Sequence, residues 1–190
     1  MIFINDKKMT ERLLKETERV FSFDNIGNYR DLSEWQEQFR RQLGIQLGLD
    51  SIRQHSKNTE LNPRIIGVDK RPDYVLEKGY IRSEPGVEIP FFFLLPGDGQ
   101  NGPYPLALTP HGHNRRGKEV YVGNYENEEE AEEAMKGERN IAVQAVAAGY
   151  AVLAPDVRGF WEMGREEEYQ QGKTTPAMNC NVAHYCLAVR

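Results

Sequence analysis

Two stretches decide the fold. Tyr104-Pro105-Leu106-Ala107-Leu108-Thr109 runs into Pro110-His111-Gly112-His113-Asn114, and Tyr150-Ala151-Val152-Leu153-Ala154 runs into Pro155-Asp156-Val157-Arg158-Gly159-Phe160. Each is a short apolar run bounded by turn residues, the pattern of a strand buried on both faces. Pro105 lies near the start of its run, where a missing N–H is tolerated. Between the two runs, Asn140 to Ala148 is rich in small residues and is closed by Gly149, so it reads as a helix. Strand, loop, helix and strand in that order make a βαβ unit, which builds a parallel sheet through a right-handed crossover.

Upstream, Tyr74–Arg82 and Val87–Leu95 read as two strands joined by the turn Glu84-Pro85-Gly86, an antiparallel hairpin at one side of that sheet. The first 70 residues are polar with helical spacing and form a helical prelude, leaving 71–190 for the α/β part. Thr10 opens one helix through Phe21, with Leu13, Leu14 and Val20 facing inward. Ser33 and Gln36 have capping-box spacing, and Trp35, Phe39 and Leu43 recur at i, i+4 and i+8 in a second helix. Residues 126–133 hold six glutamates and read as a solvated loop or frayed helix. Met178–Arg190 is apolar almost all round, as a helix buried on several sides would be.

Composition narrows the function classes. With 190 residues the chain is long enough for one self-sufficient core, and its formal charge of −5 favours neither nucleic acid nor an anionic membrane surface. No apolar run approaches the roughly 18 residues a membrane span requires. Charges interrupt each apolar stretch of the N-terminus, so no secretory signal is read there. Cys180 and Cys186 read as reduced thiols, and a cytoplasmic protein is expected.

Together, WQEQFRRQLG (35–44), VEIPFFFLLP (87–96), PLALTPHGHNRRGKE (105–119) and AVQAVAAGYAVLAPDVRGF (142–160) resemble the N-terminal part of an α/β-hydrolase, in its acetyl xylan esterase and dienelactone hydrolase-like branch. The resemblance runs from about residue 35 to the end. It implies a mostly parallel sheet with an N-terminal antiparallel hairpin, and strands in the spatial order first, second, fourth, third. It implies acyl transfer from a small ester, including acetylated carbohydrate, to a serine and then to water, without a cofactor or metal. The loop after the third strand would supply one oxyanion donor. By resemblance this is the backbone N–H of His113, with Gly112 allowing close approach, while Phe160 and Trp161 wall a substrate pocket.

The departure from the family lies in the nucleophile. Ser22, Ser33, Ser51, Ser56 and Ser83 are the serines, and none stands in Gly-x-Ser-x-Gly. The resemblance places that elbow beyond residue 190, together with the triad's acid and histidine. The chain alone is therefore expected to be inactive, and its sheet edge at 104–109 to invite an oligomer or a complementing C-terminal half.

A second reading is a non-catalytic remnant or half of a split hydrolase, acting as an interaction module. A third is a metallo-hydrolase using His111 and His113, although zinc catalysis needs about three protein ligands. Cys180 and His184, four apart, could touch but would lack an orienting third group. Arg115-Arg116-Gly117-Lys118 reads as a solvated basic loop, with contact to an acidic substrate as the alternative. Asp156 and Arg158 sit at the C-terminal end of a strand, where structural ion pairing competes with substrate contact.

Overall fold

The computed structural model describes residues 6–171 and Cys180, and the chain divides into two compact units at Asp50/Ser51. The expected apolar terminal helix and His184 lie outside the described residues.

The first unit contains α1 (Asp6–Glu16), a 3-10 turn at Phe23–Asn28, α2 (Leu32–Gln46) and the start of α3 (Leu49–Ser56). Helix α1 begins and ends earlier than the sequence suggests. Its last turn closes with the Thr17 N–H and hydroxyl both donating to the Leu13 carbonyl, and Leu13, Leu14 and Val20, expected to face inward, are exposed. Helix α2 is capped by Asp31, which accepts the Glu34 N–H at 2.9 Å, while the Glu34 carboxylate accepts the Arg30 N–H at 2.7 Å. Two overlapping capping patterns, Asp31/Glu34 and Ser33/Gln36, compete here. The charged pair prevails because carboxylates also favour the positive end of the helix. The i, i+4 reading of α2 holds at Trp35 and Phe39, whose rings stack 5.5 Å apart, with Phe21 edge-on to Phe39.

The second unit is built on a five-stranded sheet. Its strands are β1 (Arg64–Lys70), β2 (Tyr74–Glu84), β3 (Val87–Pro96), β4 (Leu106–Leu108) and β5 (Ala151–Pro155), in the order β1-β2-β3-β5-β4. The last four strands stand in the order the hydrolase resemblance implies. Only β4 and β5 pair in parallel. The β1·β2, β2·β3 and β3·β5 pairs are antiparallel, so among the described residues the parallel character is confined to the single βαβ unit. Strand β1, which the sequence reading merges with the helical prelude, adds an outer antiparallel edge. Gly79 lets β1 and β3 close on β2, since a Cβ there would sit 2.6 Å from the Arg64 carbonyl oxygen and 2.7 Å from the Phe91 ring.

Helices α4 (Lys118–Tyr121), α5 (Glu128–Lys136) and α6 (Ile141–Ala147) lie between β4 and β5, and α7 (Glu166–Gln170) follows β5. The glutamate-rich segment is an ordered helix start. Asn127 caps α5 through the Glu130 N–H, and Glu130 accepts both the Glu126 N–H and Arg116. Asn127/Glu130 thus repeats the arrangement of Asp31/Glu34.

Strand registry explains where the core sits. Side chains two apart share a face. Leu76, Leu94, Val152 and Ala107 line up across β2, β3, β5 and β4, and with Val122, Ala142 and Val146 they form the core. The next row is Lys78, Phe92 and Ala154, and in the row beyond it the Asp156 N–H bonds the Pro90 carbonyl opposite Tyr80. The helix-facing surface therefore passes from apolar to ionic within two rows, at the end of the sheet where the chain leaves β4 and β5. On the opposite face of the β4 edge, Leu106 and Leu108 are 64% and 63% exposed.

Candidate active site

Strand β4 ends in Thr109, whose N–H continues the ladder to the Leu153 carbonyl, and the chain then enters His111-Gly112-His113. The His111 side chain is fully buried between the exits of β4 and β5. Its Nε2 accepts the Val157 N–H at 2.9 Å, which requires a lone pair there. The proton is therefore on Nδ1, 2.9 Å from the Gly112 carbonyl. Asp156 Oδ1 approaches Nε2 to 3.3 Å with no proton between them. With both ring nitrogens bonded to backbone, His111 ties the two loops together and has no lone pair left for a metal. Among the described residues, no three His, Cys, Asp or Glu side chains gather as a metal site. The pairing of His111 with His113 as ligands is thus without support.

Gly112 and His113 are exposed. The Gly112 N–H donates to the Tyr121 hydroxyl at 2.9 Å. The His113 N–H donates to no protein acceptor among the described residues, which leaves it open to a ligand. Phe160 lies beneath this loop, 5% exposed, edge-on to His111 at 5.3 Å and to His113 at 5.7 Å. It supports the loop, whereas Trp161 lines a cleft of about 380 Å³ with Tyr80, Glu162, Gly164 and Glu166. Trp161 has φ +43°, a costly conformation for a bulky residue. Its indole donates to Glu119 Oε1 at 3.3 Å, and the Arg116 guanidinium sits over its ring at 5.7 Å.

An ion cluster that the sequence did not reveal holds this end of the sheet. Lys118, which the sequence reading places in a solvated basic loop, instead opens α4 with its side chain wholly buried. Its ammonium donates to Asp156 Oδ2 at 2.6 Å and to Glu162, while its backbone N–H donates to Asp156 Oδ1 at 3.0 Å. Lys78 reaches the other Glu162 oxygen at 2.8 Å. Two cations and two carboxylates make a formally neutral group, which is how buried charge is tolerated. Burial alone would push the Glu162 carboxyl up, but hydrogen bonds and charge from Lys118 and Lys78 outweigh it and hold the carboxyl below its ordinary range. Burial likewise works against the Lys78 ammonium, and Glu162 prevails, raising it. Gly117 permits the cluster. Its φ is +53°, and a Cβ would stand 2.3 Å from Asp156 Oδ1 and 2.8 Å from the Trp161 Cβ.

The remaining candidates are ion-paired. Arg158 bonds the buried Glu84, tying the β5 loop to the hairpin turn. Arg115 pairs with Glu126 at 2.7 Å and Arg116 with Glu130 at 2.5 Å, so the basic loop is latched to the start of α5. The signals that could have pointed to the cluster are slight. Lys118 follows a lone glycine, and its carboxylate partners are 38 and 44 residues away.

The arrangement can be compared with known proteins. The structure is similar to that of a Bacteroides fragilis protein assigned as an acetyl xylan esterase, with TM-score 0.56 and 22% identity over 92% of this chain and 43% of that one. It is also similar to a methylesterase, with TM-score 0.52 and 17% identity over 98% of this chain and 38% of that one. The chain thus spans less than half the length of either structure, and at these identities the likeness concerns the fold. No curated protein matches the chain significantly. A sequence profile of the Abhydrolase family matches residues 2–176, nearly the whole length, and the chain belongs to that family.

Proposed function

We propose that this chain is the oxyanion-loop portion of a serine carboxyl-ester hydrolase acting on small esters, acetylated carbohydrate among them. The observation that carries this reading is the His111–His113 loop. It leaves the parallel strand β4, is fixed from below by a doubly hydrogen-bonded histidine, and presents an unpaired His113 N–H on a loop packed against Phe160. Such a donor favours the negative oxygen of a tetrahedral intermediate over the neutral carbonyl. It also needs no reorganisation as the charge develops. On this reading Trp161 walls the acyl or sugar side, Phe160 holds the loop, and the nucleophile, acid and base come from residues outside this sequence. The described helices include none long and apolar enough to cross a membrane.

The test is to read the coding sequence past codon 190 for an in-frame Gly-x-Ser-x-Gly and to assay that product on an activated acetyl ester. His113→Pro, which deletes the N–H, is expected to lower kcat by about 100-fold with little change in KM. An unchanged kcat, or no such motif in any frame, would sink the assignment. The split-enzyme reading draws on the exposed Leu106 and Leu108 at the β4 edge. It expects the nucleophile on a separate chain that co-purifies.

A further inference from the structure

Tyr121 ends α4 with its ring half-buried against the core and edge-on to His111 at 6.3 Å. Its hydroxyl accepts the Gly112 N–H at 2.9 Å, and a Cβ on Gly112 would come within 3.5 Å of that oxygen. A phenol can accept and donate at once. Among the described residues its own O–H meets no protein acceptor. Because the α4 hydroxyl is hydrogen-bonded to the residue next to His113, its free O–H and the free His113 N–H both belong to the same end of the loop.

The geometry points to Tyr121 as a second oxyanion donor. Its O–H and the His113 N–H would together hold the oxygen that becomes negative when an ester carbonyl is attacked. The inference rests on the ester-hydrolase reading and adds a side-chain donor to it. As the nucleophile bonds to the carbonyl carbon, the C=O π pair moves onto oxygen. That oxygen accepts both hydrogen bonds, and neither donor gives up its proton. The bond from the Gly112 N–H polarises the phenol and fixes its direction. It also explains why Gly112 itself is not the donor to substrate, since its N–H is already engaged.

The full chain is titrated with ethyl methylphosphonate, a tetrahedral monoanion standing in for the intermediate, and amide spectra are followed. Binding is expected to move the His113 amide, and Tyr121→Phe to weaken that binding at least about tenfold, the scale of a hydrogen bond to a charged group. Core amides such as those of Leu94 and Val152 report whether the variant is folded. Replacing Tyr121 by difluorotyrosine, at mildly acidic pH where the phenol stays protonated, separates the two roles. A stronger O–H donor tightens binding, whereas a residue acting only as the Gly112 acceptor becomes a poorer acceptor and binding weakens. Equal binding by wild type and Tyr121→Phe, or weaker binding by the fluorinated protein, overturns the inference while leaving the His113 donor intact. A His113 amide that does not respond to the anion overturns both.

Discussion

Gly117 occupies the point where three constraints meet: a left-handed backbone, the Asp156 carboxylate and the Trp161 side chain. A methyl group there must displace either the ion cluster or the cleft wall. Gly117→Ala is expected to cost about 2–3 kcal/mol in chemical denaturation, from the positive φ together with the displaced carboxylate. An unchanged midpoint would mean the loop relaxes freely. Glu162 carries a pH dependence whose sign follows from its depressed folded pKa. Its pairing stabilises the fold above the ordinary glutamate range and is lost as the pH falls through the lowered value, because the unfolded chain binds the proton first. Between about pH 5 and pH 3 the wild-type Tm should therefore fall more steeply than that of Glu162→Gln. Parallel acid limbs would show that Glu162 contributes nothing. The raised Lys78 acts at the other end, its contribution being complete below the ordinary lysine range and lost only as the pH rises through its folded value.

At the scale of elements, β4 is a short parallel edge strand that presents two leucines. Exposed apolar edges template pairing with another chain. Sedimentation velocity of the purified chain is expected to show self-association. Leu106→Lys with Leu108→Glu should relieve it while leaving the Tm nearly unchanged, as both side chains are already largely in water. A monomer at all concentrations for the parent chain would remove the edge from consideration. The strands from β2 onward were legible because alternation and turn residues mark them plainly. The hairpin turn at Pro85-Gly86 and the apolar runs before His111 and Asp156 allow little else. Strand β1 was not legible. Arg64-Ile65-Ile66-Gly67-Val68-Asp69-Lys70 is exposed throughout, with a bulge between Ile65 and Gly67, so no alternation survives in its sequence. The ends of α1 and the cap of α2 were displaced for a related reason. Local capping chemistry near Asp31 offers two solutions that differ by a fraction of a hydrogen bond.

Across the whole molecule, what the sequence could announce was local and what it hid was distant. His111, Gly112 and His113 are neighbours in the chain and were readable as a loop. Lys78, Lys118 and the Asp156–Glu162 stretch after β5 converge from three segments, and no spacing rule joins them. Tyr121 was hidden in the same way, since its relation to Gly112 depends on how α4 folds back. The row of Lys78, Phe92 and Ala154 has a further consequence, for assembly of the sheet itself. Slide β2 by one residue and Glu77 enters the helix-facing side. Slide it by two toward the core and the Lys78 ammonium lands against Leu94 and Val152, both 0% exposed. Only one alignment delivers the ammonium to Glu162. A strand whose hydrophobic neighbours would tolerate several pairings thus carries its own register constraint, since any other alignment would leave a misplaced charge in the core.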